Sequence, residues 1–163
     1  ETAAYDAIQA AMDEMKTAKH NKKILLMVTD GFDTKSRINA MQVEDILKRS
    51  EVLVYAIGIA DDDAGPLVLR RTRSHIYHYM LGRLTSISGG RAFRLFTGRN
   101  YALNSLATVL LEELHQQYTL GYYPTSVPDK NVWRQVDVKV KKNGSQIRHR
   151  MGYYVNEAKA KAN

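Results

Sequence analysis

The sequence predicts a doubly wound α/β fold with a mainly parallel sheet, helices on both of its faces, and an antiparallel β-hairpin extension at the C-terminus. Three observations carry this expectation. Residues 24–28 (I-L-L-M-V) and 52–59 (V-L-V-Y-A-I-G-I) are short, unbroken apolar runs, as strands covered on both faces require. Segments of helical periodicity precede, separate and follow them, and such alternation builds parallel sheets. From Trp133 to Val155 the pattern changes to strict alternation about an Asn143-Gly144 turn, the signature of a hairpin.

In chain order, residues 2–19 place Ala4, Ile8, Ala11, Met12 and Met15 on one helical face. Thr2 occupies the expected N-cap, and Asp6 lies in the first turns, where negative charge suits the helix dipole. The strand at residues 24–28 follows a Lys22-Lys23 start and stops at Thr29-Asp30-Gly31. A second helix at residues 40–49, capped by Asn39, carries Met41, Val43, Ile46 and Leu47. The strand at residues 52–59 ends in Asp61-Asp62-Asp63, which reads as a solvated loop because adjacent side chains diverge and rarely converge on one ion.

A third helix, residues 74–88, is expected to be capped by Ser74 and stopped by Gly89-Gly90, with Ile76, Tyr79, Met80, Leu84 and Ile87 as its stripe. Its His75 and His78 lack a third ligand of suitable spacing for zinc. A short strand at residues 91–96, a turn at 97–100 and a helix at 101–117 come next, the helix with Leu103, Leu106, Ala107, Leu110, Leu111 and Leu114 on one face. Residues 118–123 (Y-T-L-G-Y-Y) read as a strand ended by Pro124. In the closing hairpin, Ile147, His149, Met151 and Tyr153 form an apolar face and Arg148, Arg150 and Gly152 the opposite one. The expected organisation is an α/β unit at 1–124, a hairpin extension of the same domain at 125–155 and a frayed tail at 156–163.

Composition narrows the function classes. The chain has no cysteine, which excludes disulfides, thiolate metal sites and cysteine nucleophiles. No apolar run reaches the roughly 18–20 residues of a membrane span. Of the net charge of +7, residues 129–163 hold +6, with 9 Lys/Arg against 3 Asp/Glu, and residues 1–128 hold +1. Without an aromatic-basic platform this reads as a solvated strand face, and nucleic acid is not an expected partner. The chain opens directly on a helical pattern, which raises the expectation of sequence upstream of Glu1.

The candidate site is the C-terminal end of the first strand. Asp30, Asp33, Thr34 and Ser36 are hard oxygen donors at the edge where open α/β sheets bind ligands, and they suit a cation such as Mg²⁺. An Asp/Gly turn accounts for the same residues equally well.

Taken together, T-A-A-Y-D-A-I (2–8), V-T-D-G-F-D-T (28–34), I-G-I-A-D (57–61), S-G-G-R-A-F (88–93), Q-Y-T-L-G-Y-Y-P (117–124) and the R-x-G-Y-Y of 150–154 resemble a von Willebrand factor A domain. They are similar to a bacterial, acidobacterial-type group of such proteins with a C-terminal β extension. The resemblance implies a Rossmann-like fold and a metal-ion-dependent adhesion site, in which Thr2 matches the family's threonine and Asp30 its last aspartate. The D-x-S-x-S loop of that site has no counterpart here, because Asp33 to Ser36 has different spacing and follows another strand. The strand bearing that loop lies near the middle of the family's sheet. A segment before Glu1 is therefore expected to complete the fold, and without it strand exchange or homo-oligomerisation is expected.

The resemblance implies a non-catalytic adhesion module that engages a carboxylate on a protein partner through Mg²⁺, in a secreted, periplasmic or cell-envelope setting. A Mg²⁺-dependent hydrolase or phosphoryl-transfer enzyme is the alternative. Against it stand the absence of a glycine-rich phosphate loop and the scatter of the histidines. Binding of an anionic polymer by Lys139, Lys141, Lys142, Arg148 and Arg150 is a third reading.

Overall fold

The computed structural model describes residues 1–30, 32–60, 67–96, 101–125, 131–142 and 144–155. Gly31, Asp61 to Asp63, the turn at 97–100, Asn143 and the tail at 156–163 lie outside them, as does the side chain of His75. The elements are α1 (Ala4–Thr17), β1 (Ile24–Thr29), α2 (Ala40–Arg49), β2 (Leu53–Ala60), α3 (Leu67–Ser88), β3 (Ala92–Phe96), α4 (Tyr101–His115), β4 (Trp133–Gln135) and β5 (Gly152–Tyr154). The first three strands form a parallel sheet in the order β1-β2-β3, and β4 and β5 form a separate antiparallel pair. This is the α/β architecture that the alternation of apolar runs and helical stripes predicts.

β2 is the central strand. Parallel register places Val54 beside Leu25 and Ile57 beside Phe93, so among the described strands β2 alone is paired on both edges. It is also covered on both faces: Val54 and Ala56 are fully buried, and Tyr55 and Ile57 on the other face nearly so. The face of Leu25, Met27 and Val54 packs against Tyr5, Ile8 and Met12 of α1, Val43 and Leu47 of α2, and Leu84 and Ile87 of α3. The opposite face carries Tyr55, stacked on Phe93 at 6.3 Å, and is approached by Glu113 of α4 and by Gln117 just after it. Burial and the nearby Glu113 carboxylate together raise the Tyr55 phenol pKa.

β1 departs from expectation. Among the described strands it lies at an edge of the sheet, and with Leu26 43% and Val28 57% exposed it is not covered on both faces. The cause is the reach of α4, which packs on β3 and beside Tyr55 and leaves the outer half of that face uncovered.

Local chemistry fixes the helix ends. Asn39 caps α2 as expected, accepting from the Gln42 N–H at 3.0 Å, while the Gln42 side chain accepts from the Asn39 N–H in a capping box. α3 ends at Gly89, whose φ of +85° suits glycine, with Gly90 N–H donating to Thr85 O and Gly89 N–H to Ser86 O. This is a Schellman arrangement. α3 begins at Leu67, so Ser74 lies inside the helix and is not its cap. Three large side chains expected in the core are exposed: Met41 at the first turn of α2, Tyr79 on α3, and Leu111 on the outer side of α4.

The C-terminal segment differs most. Residues 118–123 form no strand, and Tyr118, Leu120, Tyr122 and Tyr123 are exposed. Strand propensity needs a partner ladder, and among the described residues this segment pairs with no strand; it meets the hairpin through side chains, with the hydroxyls of Tyr122 and Tyr153 at 2.7 Å. The hairpin ladder itself is confined to β4 and β5, next to α2, where Trp133 packs edge-on against Tyr154. There Lys48 lies over Trp133 and Arg49 over Tyr154.

The two faces of the return strand are also reversed from expectation. Ile147 and Met151 are exposed, whereas the arginine side docks on the domain. Arg150 donates to Lys48 O at 2.6 Å and to Gly152 O at 2.7 Å, and Arg148 pairs with Glu113 at 2.7 Å. The C-terminal carbonyls of α2 lack intrahelical donors, and a guanidinium satisfies them better than an apolar side chain can. Burial lowers the Arg150 pKa, with Glu51 opposing, yet a guanidinium stays charged in proteins.

Arg150→Ala is therefore expected to destabilise the fold by about 1.5–3 kcal/mol, the range for charge-assisted hydrogen bonds, in urea unfolding. Lys141→Ala should stay within about 0.5 kcal/mol. Asp45 supplies a pH dependence. Its hydrogen bond from Arg49, with a further one from Tyr154, holds its pKa below the usual carboxylate value. A lowered folded pKa means that this contribution is present above the ordinary value of about 3.9 and is lost as pH falls through the folded value. Asp45→Asn should flatten the acid limb of the stability profile, modestly, because the pair is half exposed and salt screens it.

Candidate functional site

β1 delivers Thr29 and Asp30 to the C-terminal edge of the sheet, and the loop that follows folds back onto the start of α1. The residue before α1 is Ala3, whose side chain cannot cap, so the first amides of the helix need acceptors from elsewhere. The loop supplies them. Asp33 Oδ1 accepts from the Tyr5 N–H at 3.2 Å and Ser36 Oγ from the Asp6 N–H at 3.0 Å, while the Ser36 hydroxyl donates to Asp33. Asp6 reciprocates by accepting from the Arg37 N–H at 3.0 Å and the Ile38 N–H at 3.3 Å.

Thr2 is held by its backbone. Its N–H donates to Thr34 Oγ1 at 3.0 Å, and its carbonyl accepts from the Thr34 and Lys35 amides at 2.8 and 3.1 Å. Thr2 therefore does not cap α1, contrary to expectation, and the capping role passes to a loop about thirty residues downstream. Asp33, Thr34 and Ser36 spend their oxygens on this junction. The signal for it lies in the sequence as a helix with a poor local cap and a loop rich in short acceptors. Nothing local states that the two meet.

Thr2 and Asp30 line one groove of about 510 Å³, with the side of β1 as its floor and Ala3, Ala4 and Ala7 of α1 as its wall. Asp30 is exposed and makes no side-chain hydrogen bond or ion pair among the described residues. A hydroxyl and a free carboxylate are the right donors for a hard cation, and Mg²⁺ commonly uses one or two carboxylates and keeps several waters. Among the described residues no group of three His, Asp or Glu side chains could share an ion. The pair thus fits an open, weak site completed by water and an incoming anionic oxygen, not a closed cage.

The other candidates disperse. His20 lies in the exposed segment after α1, His115 ends α4, and His149 contacts the neighbouring Arg150 carbonyl through Nδ1. Of the five basic hairpin side chains, Arg148 and Arg150 are engaged with Glu113 and with α2, and Lys139 lies 3.4 Å from Asp137.

A sequence model of the von Willebrand factor type A domain matches residues 1–103, which include the groove and the whole parallel sheet. No curated protein and no solved structure matches the chain.

If the loop caps α1, Asp33→Ala and Ser36→Ala should each cost about 1 kcal/mol in urea unfolding. Thr2→Ala should change stability by less than about 0.5 kcal/mol, because its contacts are made by the main chain. A larger loss for Thr2→Ala than for Asp33→Ala would reverse the assignment.

Proposed function

The chain belongs to the von Willebrand factor type A domain family, commonly a protein-interaction module, and we propose that it binds a protein partner at the groove beside β1 through a divalent cation held by Thr2 and Asp30. The observation that carries this reading is the shared groove. A hydroxyl residue and an unpaired carboxylate border one concave space at the carboxyl end of a parallel strand.

The residues of this chain have distinct parts in that binding. The main-chain bonds from Thr2 to Thr34 and Lys35 hold the threonine at the mouth of the groove, so its hydroxyl needs little ordering on binding. Asp30 provides the negative charge that attracts a cation. Asp33 and Ser36, tied to α1, stay out of the ligand set and keep the loop in place. A bound cation supplies Lewis acidity toward a carboxylate on the partner, since a hard ion prefers anionic oxygen. The wall of Ala3, Ala4 and Ala7 leaves room for the partner's backbone to approach.

Titration with Mg²⁺ or Mn²⁺, followed by thermal unfolding, tests the site. At a hundredfold excess over Kd the gain is about 2.7 kcal/mol, which for a chain of this size corresponds to about 2–4 °C per kcal/mol in Tm. Asp30→Ala should abolish the gain, and an acidic peptide should tighten cation binding in the wild-type chain only. Equal stabilisation of wild type and Asp30→Ala would show that the cation binds elsewhere.

A further inference from the structure

The side chains of Tyr122 and Tyr153 meet away from the groove and from the parallel sheet. Their hydroxyls lie 2.7 Å apart and their rings stand edge to face, with centroids at 6.3 Å. Tyr153 is held in the middle of β5, directly across the ladder from Arg134. Tyr122 comes from the segment after α4, which joins no ladder among the described residues, and is 59% exposed. Two phenols are thus in contact across 31 positions of a chain that has no cysteine.

The contact also makes the two rings unequal. The hydrogen bond to Tyr122, assisted by the Arg134 guanidinium, lowers the Tyr153 phenol pKa, and the same bond raises that of Tyr122. In that polarity the Tyr122 hydroxyl donates and the Tyr153 oxygen accepts. Tyr153 is then the phenol that gives up an electron first.

We propose that Tyr122 and Tyr153 form an oxidative cross-linking site, joined by a one-electron oxidant into a dityrosine that ties the segment after α4 to the tail. Each phenol loses one electron and its hydroxyl proton, giving two phenoxyl radicals whose spin is shared with the ring carbons beside the C–O bond. One such carbon from each ring forms the new C–C bond. Each ring then regains its aromaticity by moving the hydrogen of that carbon to its oxygen. The net loss is two electrons and two protons, which hydrogen peroxide takes up through a haem peroxidase to become two waters.

The product leaves the two oxygens side by side, as the hydroxyls already are. Its rings are directly bonded, so they must close in from 6.3 Å, and the segment of Tyr122 is the part free of a ladder to make that approach. Contact, not exposure, selects the pair. Tyr118 and Tyr123 are each 89% exposed, yet neither has another tyrosine ring against it among the described residues. Tyr154 is engaged instead with Trp133 and Asp45. The bond closes a loop of about thirty residues and constrains the unfolded chain as a disulfide does. Groups linked within one chain meet at an effective concentration on the order of millimolar. At about 10 µM chain, coupling within a chain should therefore exceed coupling between chains by roughly a hundredfold.

Treating the dilute chain with hydrogen peroxide and a haem peroxidase tests the site, with dityrosine fluorescence and peptide mapping as readouts. The reaction uses neither Thr2 nor Asp30, so its outcome is separate from that of the cation reading. The expected product is a monomer with one linked pair of tryptic peptides, residues 100–130 and 151–159, two hydrogens lighter than their sum. Tyr122→Phe and Tyr153→Phe should each reduce that product about tenfold or more, whereas Tyr118→Phe and Tyr123→Phe should leave it within about twofold. Circular dichroism checks that each variant is folded. Should Tyr153→Phe not fold, Tyr122→Phe decides, because its ring is exposed and lies outside the ladder. A chain that forms no dityrosine overturns the proposal. So does a product made mainly of cross-linked dimers. Persistence of the linked peptides in Tyr122→Phe overturns it as well, by showing that exposure rather than the contact directs the coupling.

Discussion

The structure turns on two glycines that leave no room for a side chain. A Cβ on Gly90 would fall 1.9 Å from Val54 O, and one on Gly89 would fall 2.7 Å from the carbonyl carbon of His149. At this point the end of α3, the central strand and the returning tail meet. Ser88 completes the joint, its hydroxyl accepting from the Val54 N–H at 2.9 Å and donating to Thr85 O. The Met151 N–H reaches Ile87 O at 3.2 Å. Without a side chain at 89 and 90, the main chain passes from helix to strand in one step and β3 enters the sheet beside β2. Gly89 supplies the positive φ that the helix end needs, and Gly90 supplies the clearance. The tail then crosses the same spot and docks Arg150 on the end of α2.

A second joint, polar where the first is tight, sets the opposite edge of the fold. α1 has no side-chain cap of its own, and the loop after β1 lends it the oxygens of Asp33 and Ser36 in return for those of Asp6. The exchange positions Thr2 beside the end of β1 and so shapes the groove that Thr2 and Asp30 share. Loop placement and groove are thus one feature. An oxygen used for capping is lost to a ligand, which explains why Asp30 alone of the loop's carboxylates stays free. A third contact, Glu113, accepts from Arg91 and Arg148 and ties α4 to both the β3 entry and the tail.

The elements read from the sequence in proportion to how local their cause is. β2 is where an unbroken apolar run rich in β-branched residues places it, α2 has the cap that Asn39 and Gln42 spell out, and α3 stops where Gly89 and Gly90 stop it. Each of these is decided within a few residues. The misreadings share the opposite character. Residues 118–123 have strand composition but no ladder partner among the described residues, and Met41, Tyr79 and Leu111 obey a helical stripe that no described neighbour covers. In the hairpin, alternation was legible, but which face turns inward depended on α2 offering carbonyls to Arg150.

The sequence by itself determined the α/β alternation, the parallel strands, the helix stops, the family motifs, and the presence of Thr2 and Asp30 at chain positions that could share a site. Short-range periodicity, capping chemistry and the conformational demands of glycine write those features directly into neighbouring residues. The tertiary structure decided that β1, at an edge among the described strands, has an exposed apolar face, that a distant loop caps α1, and that the arginines of the tail face inward. Those outcomes depend on which element covers which, and coverage is a property of the packed sheet rather than of any single segment.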